Sequence, residues 1–310
     1  MTLRFTVLAS GSSGNASLIQ TDAGAVLLDI GLGPRQLTER FAAVGASWEQ
    51  IAAVLLTHTH GDHWSDRTLG LLRRRQIPLY CHPLHHPGLL GNGQQFQRLL
   101  DAGLVRDFDA SRDFDLGGGL RCRALALSHD CQPTFGFRFE KQVALFGPPA
   151  ALGYAADLGC WSPALAAALA DVDLLAIEFN HDVGLEYASG RSAQLIYRVL
   201  GDGGHLSNAQ AAALLEDILR RSTPGRLRHV VQLHLSRDCN RVSLAQEAAR
   251  VVAQAANQEL QIHSASQHRP GPTLLVGNST RSVRPARRTS STPRRRAAPT
   301  AAPWLPGFEP

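Results

Sequence analysis

Three histidines and one aspartate occur within six residues of this 310-residue chain, in the segment Thr57-His58-Thr59-His60-Gly61-Asp62-His63. The segment directly follows the apolar run 53–56, which is typical of a buried strand. A strand end is rigid and the loop after it can curl, so these imidazole and carboxylate groups can converge on one point. Because such groups are common ligands of divalent metals, the spacing H-x-H-x-D-H predicts a metal site. A solvated His-rich turn, the alternative, has no reason to follow a buried strand with this spacing.

Three further segments carry a polar group at the end of an apolar run. His129 follows the run 124–127, Asp157 follows 153–156, and His234 follows 230–233. Taken singly, each of these groups is more often an ordinary surface residue. Because four residues cannot coordinate two metal ions alone, we expect the remaining ligands at loop entrances such as these.

The elements that would position these groups alternate along the chain. Apolar and alternating runs predict strands at 3–9, 17–21, 25–30, 51–57, 174–179 and 229–235, and a strand-rich stretch over 120–156. Helices are predicted at 34–44, 192–200, 208–221 and 243–256. No repeat or linker divides residues 1–268, so we expect one domain there. Two sheets packed face to face with helices outside fit this order, and a doubly wound single sheet fits it as well.

The ordered set of motifs resembles the metallo-β-lactamase superfamily. Members of that superfamily carry H-x-H-x-D-H, a later His, an Asp and a final His, and the similarity extends over nearly all of residues 3–265. The resemblance implies an α/β fold, the four-layer αββα sandwich. Within the superfamily, the chain is most similar to the YycJ/WalJ group of bacterial exonucleases. The matching segments are 8–15, 128–130, 156–159, 178–182, 204–208 and 234–240.

The resemblance also implies a dinuclear metal centre held by five imidazoles and two carboxylates. The ligands of one metal would be His58, His60 and His129, those of the other Asp62, His63 and His234, with Asp157 bridging the two. This donor set suits Zn²⁺, Mn²⁺ or Fe, and ligand type does not choose among them. Two metals roughly 3.5–4 Å apart would lower the pKa of a bridging water and neutralise phosphodiester charge, so that the bridging hydroxide attacks phosphorus.

A Glu/His pair would supply the proton for the leaving oxygen. His205 stands just before a capping box at 207–210 that opens an apolar helix, and a helix entrance favours an anionic phosphate. Glu178 ends the apolar run 174–177. By analogy with the corresponding pair of ribonuclease Z, we expect Glu178 to orient and charge His205 as general acid; together with Asp62, these are the predicted catalytic residues. In the alternative, His205 is only a helix-entry residue and Glu178 belongs to a structural ion pair.

Several nearby residues are candidate substrate contacts. The loop 10–15 offers small residues and backbone donors, as a phosphate cradle would. It could equally pack beneath residues 57–63, which we call the metal loop. A structural role is equally open for His181. The predicted contacts are Ser12, Asn15, His181, Ser236 and Arg237, and Arg191 and Arg241 would add to nucleic-acid binding. In contrast, we expect His82, His85 and His86 to be exposed and without a ligand role.

The residues and the resemblance together predict a binuclear metallohydrolase that cleaves phosphodiesters, namely a DNA exonuclease with 5′-to-3′ polarity. The polarity and the sugar are implied by the resemblance alone. An RNA-processing nuclease and a thioesterase of the glyoxalase II kind are alternative hydrolases. A lactamase fits less well, because two-zinc lactamases usually carry Cys where this chain has Asp157. A metal-stabilised interaction protein is the non-enzymatic alternative.

Composition sets the remaining expectations. Residues 269–310 hold eight arginines and one acid, so the net charge of +5 comes from this Arg/Pro-rich tail, which we expect to be disordered. The tail could contact nucleic acid through Arg294-Arg295-Arg296, or a protein partner through Trp304 and Phe308. No apolar run reaches the roughly 18 residues of a membrane span, and no signal peptide is recognisable. Five cysteines without a C-x-x-C pair favour a reduced, cytoplasmic protein.

Overall fold

The computed structural model describes residues 2–277, and within this range the strands form two seven-stranded sheets. The strands of the first sheet are β1 (Leu3–Ala9), β2 (Ala16–Thr21), β3 (Gly24–Leu28), β4 (Ile51–Leu55), β5 (Leu79–Cys81), β6 (Val105–Asp107) and β14 (Leu274–Val276). The strands of the second are β7 (Phe114–Asp115), β8 (Arg121–Leu127), β9 (Thr134–Lys141), β10 (Ala150–Ala155), β11 (Leu174–Glu178), β12 (His229–Leu233) and β13 (Gln261–Ser264). Their spatial orders are β14-β1-β2-β3-β4-β5-β6 and β13-β12-β11-β10-β9-β8-β7.

Helices cover the outer face of each sheet. The helices are α1 (Pro34–Ala43), α2 (Asp66–Arg75), α3 (His86–Gly91), α4 (Gln95–Asp101), α5 (Pro163–Ala168), α6 (Val183–Tyr187), α7 (Ala193–Leu200), α8 (Asn208–Arg221) and α9 (Val242–Ala255), with 3₁₀ turns at Trp48–Gln50 and Pro83–His85. Helices α1 to α4 pack on the first sheet, and α5, α8 and α9 pack on the second. The predicted four-layer αββα sandwich is therefore confirmed, and the doubly wound single sheet is excluded.

The central strands are apolar along their whole length because both of their faces are covered. In β11, Leu174 and Ala176 lie in the core between the sheets, whereas Leu175 and Ile177 pack against the helices. Strands β3 and β4 show the same alternation toward the first helical layer. Successive side chains of a strand point to opposite faces, so a continuous apolar run here indicates burial between two layers.

The strand directions bring the loops that follow several strands to one edge of the second sheet. Strands β10, β11 and β12 are parallel neighbours. Strand β8 runs in the same direction, because β8 and β10 are each antiparallel to β9. His129, Asp157 and His234 lie one or two residues beyond the ends of β8, β10 and β12, and Glu178 ends β11. The fold therefore collects the predicted ligands of this sheet at one edge.

Part of the predicted tail belongs to the first sheet. Strand β14 pairs antiparallel with β1, and Leu274 and Val276 are buried against the core between the sheets. The tail therefore does not begin after residue 268 as predicted, since residues 274–276 form a strand of the domain. The Arg/Pro-rich composition around this short apolar segment gave no sign of a strand. Residues 278–310, including Trp304 and Phe308, lie outside the described residues. Between residues 2 and 277, none of the helices has the length and apolar character needed to cross a bilayer.

Candidate metal centre and active site

Three histidines from two loops meet at this edge. His58 and His60 come from the loop after β4, and His129 follows β8. His60 Nδ1 lies 3.2 Å from His58 Nε2 and 3.2 Å from His129 Nε2. Nitrogen ligands about 2.0–2.1 Å from a tetrahedral ion stand roughly 3.3 Å from one another. The spacing of these three nitrogens therefore fits one metal ion.

Asp62, His63 and His234 form a second group beside the first. Asp62 Oδ2 lies 3.5 Å from His234 Nε2 and 3.7 Å from His63 Nε2. Asp157 Oδ2 lies 3.1 Å from His63 Nε2, and its Oδ1 lies 3.4 Å from His234 Nε2. Asp157 also falls within 4.8 Å of ligand atoms of His58 and His63. It thus contacts both groups, as a bridging ligand would.

One buried donor atom has too few protein partners. Asp157 is 2% exposed, and although His63 Nε2 lies 3.1 Å from its Oδ2, this oxygen accepts no hydrogen bond of suitable geometry from any described residue. A buried carboxylate oxygen in this state is costly unless a cation satisfies it. The thiol Sγ of Cys131 lies 3.3 Å from Thr59 Oγ1, so this thiol forms a hydrogen bond with the threonine hydroxyl beside the centre. The five imidazoles and two carboxylates therefore fit bound divalent cations.

The electrostatics of the centre also favour bound positive charge. Burial disfavours the imidazolium forms of His63 and His234, but the surrounding carboxylates together outweigh burial and raise the pKa of both well above the usual value. Asp157 acts on both rings, Asp29 on His63, and Asp62 and Glu178 on His234. Metal binding needs neutral imidazoles. A divalent cation would therefore replace these protons, and we expect its affinity to weaken in acid.

The backbone is in the left-handed region at three residues of the site. Asp29, Asp157 and His234 have φ values of 62°, 61° and 53°. Non-glycine residues adopt this conformation at a cost of roughly 1–3 kcal/mol each. Each of the three lies within two residues of a strand end, where the turn directs the side chain toward the centre. Three of the six described non-glycine residues with positive φ thus lie at the candidate metal site.

Asp29 supports the centre and was missed by the sequence analysis. It is fully buried, and its Oδ2 lies 2.8 Å from His63 Nδ1. Both the backbone N–H and the hydroxyl of Thr57 donate to Asp29. A carboxylate on one ring nitrogen fixes the tautomer, so the other nitrogen of His63 would be free to bind a metal ion. The sequence signal that could have found Asp29 is a single carboxylate near the end of the apolar run 25–30, whereas Asp157 directly follows its apolar run.

The loop 10–15 packs beneath the metal loop. Asn15 is 2% exposed, its backbone N–H donates to the Asp62 carbonyl at 2.7 Å, and its Nδ2 lies 3.2 Å from Asp62 Oδ2. Ser10 Oγ accepts a hydrogen bond from the backbone N–H of His234 at 2.8 Å. The loop therefore holds two of the candidate ligands in place, which was the second of its two predicted roles.

Gly31 lies so close to the metal loop that a larger residue does not fit. A Cβ atom at this position would stand 1.7 Å from the carbonyl oxygen of Asp62 and 2.7 Å from the backbone nitrogen of Asn15. We expect Gly31→Ala to displace the loop, reduce metal content and lower the free energy of unfolding by about 1–3 kcal/mol. Elemental analysis and urea denaturation measure the two effects. Gly91→Ala is the control, since a Cβ there meets nothing within 4 Å; full metal content in Gly31→Ala would contradict this account.

His205 and Glu178 form a hydrogen-bonded pair beside the ligands. His205 Nδ1 lies 2.8 Å from Oε1 of Glu178, which is fully buried. Burial disfavours the imidazolium, but the Glu178 carboxylate outweighs it and raises the pKa of His205. In return, despite its burial, Glu178 has its pKa lowered to about 2 by His205. Glu178 Oε1 also lies 3.4 Å from His234 Nδ1, so this carboxylate orients a candidate metal ligand as well, a contact that the sequence did not predict.

A family model described as "Beta-lactamase superfamily domain" matches residues 25–234, more than half of the chain. The chain belongs to the β-lactamase superfamily. This finding confirms the resemblance inferred from the motifs.

Relatives within the superfamily match most of the chain. Exodeoxyribonuclease WalJ of Streptococcus pneumoniae is 28% identical over 249 residues, which cover 78% of this chain and 85% of the relative. Exodeoxyribonuclease YycJ of Bacillus anthracis is 28% identical over 255 residues, covering 79% and 87%. The crystal structure of the metallo-β-lactamase fold protein YhfI from Bacillus subtilis gives a TM-score of 0.62 at 17% identity, over 88% of this chain and 98% of that one. Similarity at this identity shows the shared fold alone.

A pocket of about 400 Å³ lies at this candidate catalytic site and is lined by candidate metal ligands, His205, Ser12 and Ser236. Arg237 lines a neighbouring groove. His181 is fully buried, and neither of its ring nitrogens has a hydrogen-bond partner among the described residues. The predicted substrate contacts of His181 and Asn15 are therefore corrected, because both side chains lie inside the fold.

A second correction concerns the histidines after β5. His85 is 1% exposed, and its Nε2 lies 2.9 Å from the carbonyl oxygen of Pro133. Burial lowers the pKa of His85 to about 4. His86 Nε2 lies 2.8 Å from Asp107 Oδ1. The expectation of exposed histidines is wrong for His85, which packs as a neutral core residue.

Proposed function

We propose that the protein is a metal-dependent phosphodiesterase that removes nucleotides from a DNA end with 5′-to-3′ polarity. The hydrogen-bonded pair of His205 and Glu178 beside the seven-ligand centre carries this proposal. A proton donor at that place suits a reaction whose leaving group is an alkoxide. The 28% identity with two exodeoxyribonucleases over most of the chain supports DNA as the substrate.

The roles of the side chains follow from their contacts. The residues that would hold two Zn²⁺ or Mn²⁺ ions, or Fe, are His58, His60, Asp62, His63, His129, Asp157 and His234. When bound, such ions lower the pKa of water and neutralise phosphate charge. Because Nδ1 of His205 is engaged with Glu178, its Nε2 remains to give a proton to the leaving oxygen. Glu178 compensates the imidazolium charge before transfer.

The surroundings of the pocket suit an anionic substrate. Arg191 and Arg198 line the catalytic pocket, and the guanidinium of Arg198 is held by Asp130. Guanidinium groups bind phosphate in bidentate geometry, through two N–H donors. We also infer a cytoplasmic location, because all five cysteines are free and reduced thiols are typical of that compartment.

The proposal is tested by mapping products on end-labelled substrates. Metal-loaded protein is incubated with single- and double-stranded DNA and with RNA of the same sequence. We expect a 5′ label on DNA to be released at once as a mononucleotide, while a 3′-labelled strand shortens progressively. Preferential cleavage of RNA would show that the protein is an RNA-processing nuclease and not an exodeoxyribonuclease. Turnover of hydroxyacylglutathione or a chromogenic lactam without DNA cleavage would overturn the proposal.

A further inference from the structure

A groove of about 950 Å³ adjoins the catalytic pocket, which is less than half as large. Ser12, Arg191 and Ser236 line both spaces, so the groove and the pocket are continuous at these residues. The groove runs between the loops that follow β1, β12 and β13. A substrate end in the catalytic pocket can therefore extend into the groove without leaving the protein surface.

Arg191, at the junction, is held in a fixed orientation. Its Nη1 lies 3.1 Å from each carboxylate oxygen of Glu186, and its Nη2 lies 3.3 Å from Asp238 Oδ2. Glu186 is fully buried, and a buried carboxylate needs its cationic partner. The side chain of Arg191 nevertheless keeps 25% of its surface exposed. The fold thus presents a preoriented guanidinium between the pocket and the groove.

The rest of the groove is positive, and His268 carries the one aromatic ring among the described residues that line it. Arg237 and Arg241 line it and are exposed, Arg237 with 86% of its side chain. Among the described residues that line it, Asp238 is the one carboxylate, and Phe, Tyr and Trp are absent. Single-strand grooves that read bases usually stack them on aromatic rings. A polymer bound here would therefore be recognised through its phosphates, which carry no sequence information.

We propose that this groove binds the sugar-phosphate backbone of the strand whose end occupies the catalytic pocket. Arg191 contacts the phosphate next to the scissile one, and Arg237 and Arg241 contact phosphates further along the same strand. The occupant is a single strand of a few nucleotides, since the volume lies at the upper end of the roughly 300–1,000 Å³ of small-ligand sites. The inference rests on the proposed function and adds that activity depends on substrate length and not on base sequence.

The test compares two substrates on the full-length, metal-loaded protein. The ratio of kcat/KM for a long single-stranded oligonucleotide to kcat/KM for a dinucleotide measures the contribution of the groove. We expect the double variant Arg237→Ala/Arg241→Ala to lower this ratio about tenfold or more, and to reduce the salt dependence of binding by about one unit of slope for each lost phosphate contact. Arg191→Ala is avoided, because it would leave Glu186 buried without its partner.

Arg35→Ala is the matched control. Arg35 lies on α1, is 92% exposed and does not line the groove, so this variant should keep the wild-type ratio and salt slope. A ratio and slope unchanged in the double variant would overturn the proposal while leaving the nuclease function intact. Fluorescence anisotropy with a labelled oligonucleotide measures binding independently of cleavage, and so detects a groove that binds DNA in a protein that does not cleave it. Groove-dependent binding without any DNA cleavage by the wild type would sustain the groove and overturn the proposed function.

Discussion

Asp62→Ala should abolish hydrolysis and remove at least one metal ion from the protein. Asp62 Oδ2 lies 3.5 Å from His234 Nε2 and 3.7 Å from His63 Nε2, so the variant leaves one metal position with neutral imidazoles and Asp157. Loss of a partner that only orients a ligand already lowers metal affinity about 10–100-fold. We expect loss of a direct ligand to exceed that range. Elemental analysis after dialysis and turnover of end-labelled DNA measure the two effects.

The fold should survive this substitution, because a backbone contact that holds the loop is kept although the contact of Asn15 Nδ2 with Asp62 Oδ2 is lost. The carbonyl oxygen of Asp62 accepts a hydrogen bond from the N–H of Asn15, and this contact does not need the carboxylate. Asp101→Ala, an exposed position on α4, is the control and should keep both metals and full activity. If Asp62→Ala retained two metals per chain and near wild-type turnover, the ligand assignment would be wrong.

His205→Ala should keep both metals and lower kcat about 10²- to 10⁴-fold, equivalent to roughly 3–5 kcal/mol in the barrier. His205 Nδ1 faces Glu178 at 2.8 Å, whereas its distance to Asp157 Oδ1 is 3.8 Å. The geometry thus places His205 beside the ligands, with Glu178 as its partner. Metal content and single-turnover rates on DNA check both parts of this expectation.

The leaving group distinguishes a general acid from a structural histidine. The p-nitrophenolate released from a p-nitrophenyl phosphodiester departs without protonation, so His205→Ala should lose far less activity on this substrate than on DNA. A structural defect would reduce both activities equally. Turnover of DNA within about twofold of wild type would correspond to less than roughly 0.5 kcal/mol and exclude general-acid catalysis. Loss of a metal ion from His205→Ala would instead indicate that His205 is a metal ligand. One of its ring nitrogens lies within 4.8 Å of ligand atoms of Asp157 and His234.

The sequence by itself determined the candidate ligands and most of the strands. His58, Asp157 and His234 each follow an apolar run, and a polar group at the end of a buried strand is a local signal. The four-layer fold followed from the resemblance carried by these motifs. Periodicity alone also allowed a single sheet, because a run that is apolar on both faces does not tell which layers cover it.

The tertiary structure alone decided how these side chains are combined and supported. It showed that Glu178 contacts both His205 and His234, that Asp29 supports His63, and that Asn15 lies beneath the metal loop. It also paired β14 with β1 and joined the groove to the catalytic pocket. Such contacts join residues far apart in the chain, and their distances depend on sheet order and loop geometry. Local composition and periodicity carry no information about either, so only the folded chain could reveal them.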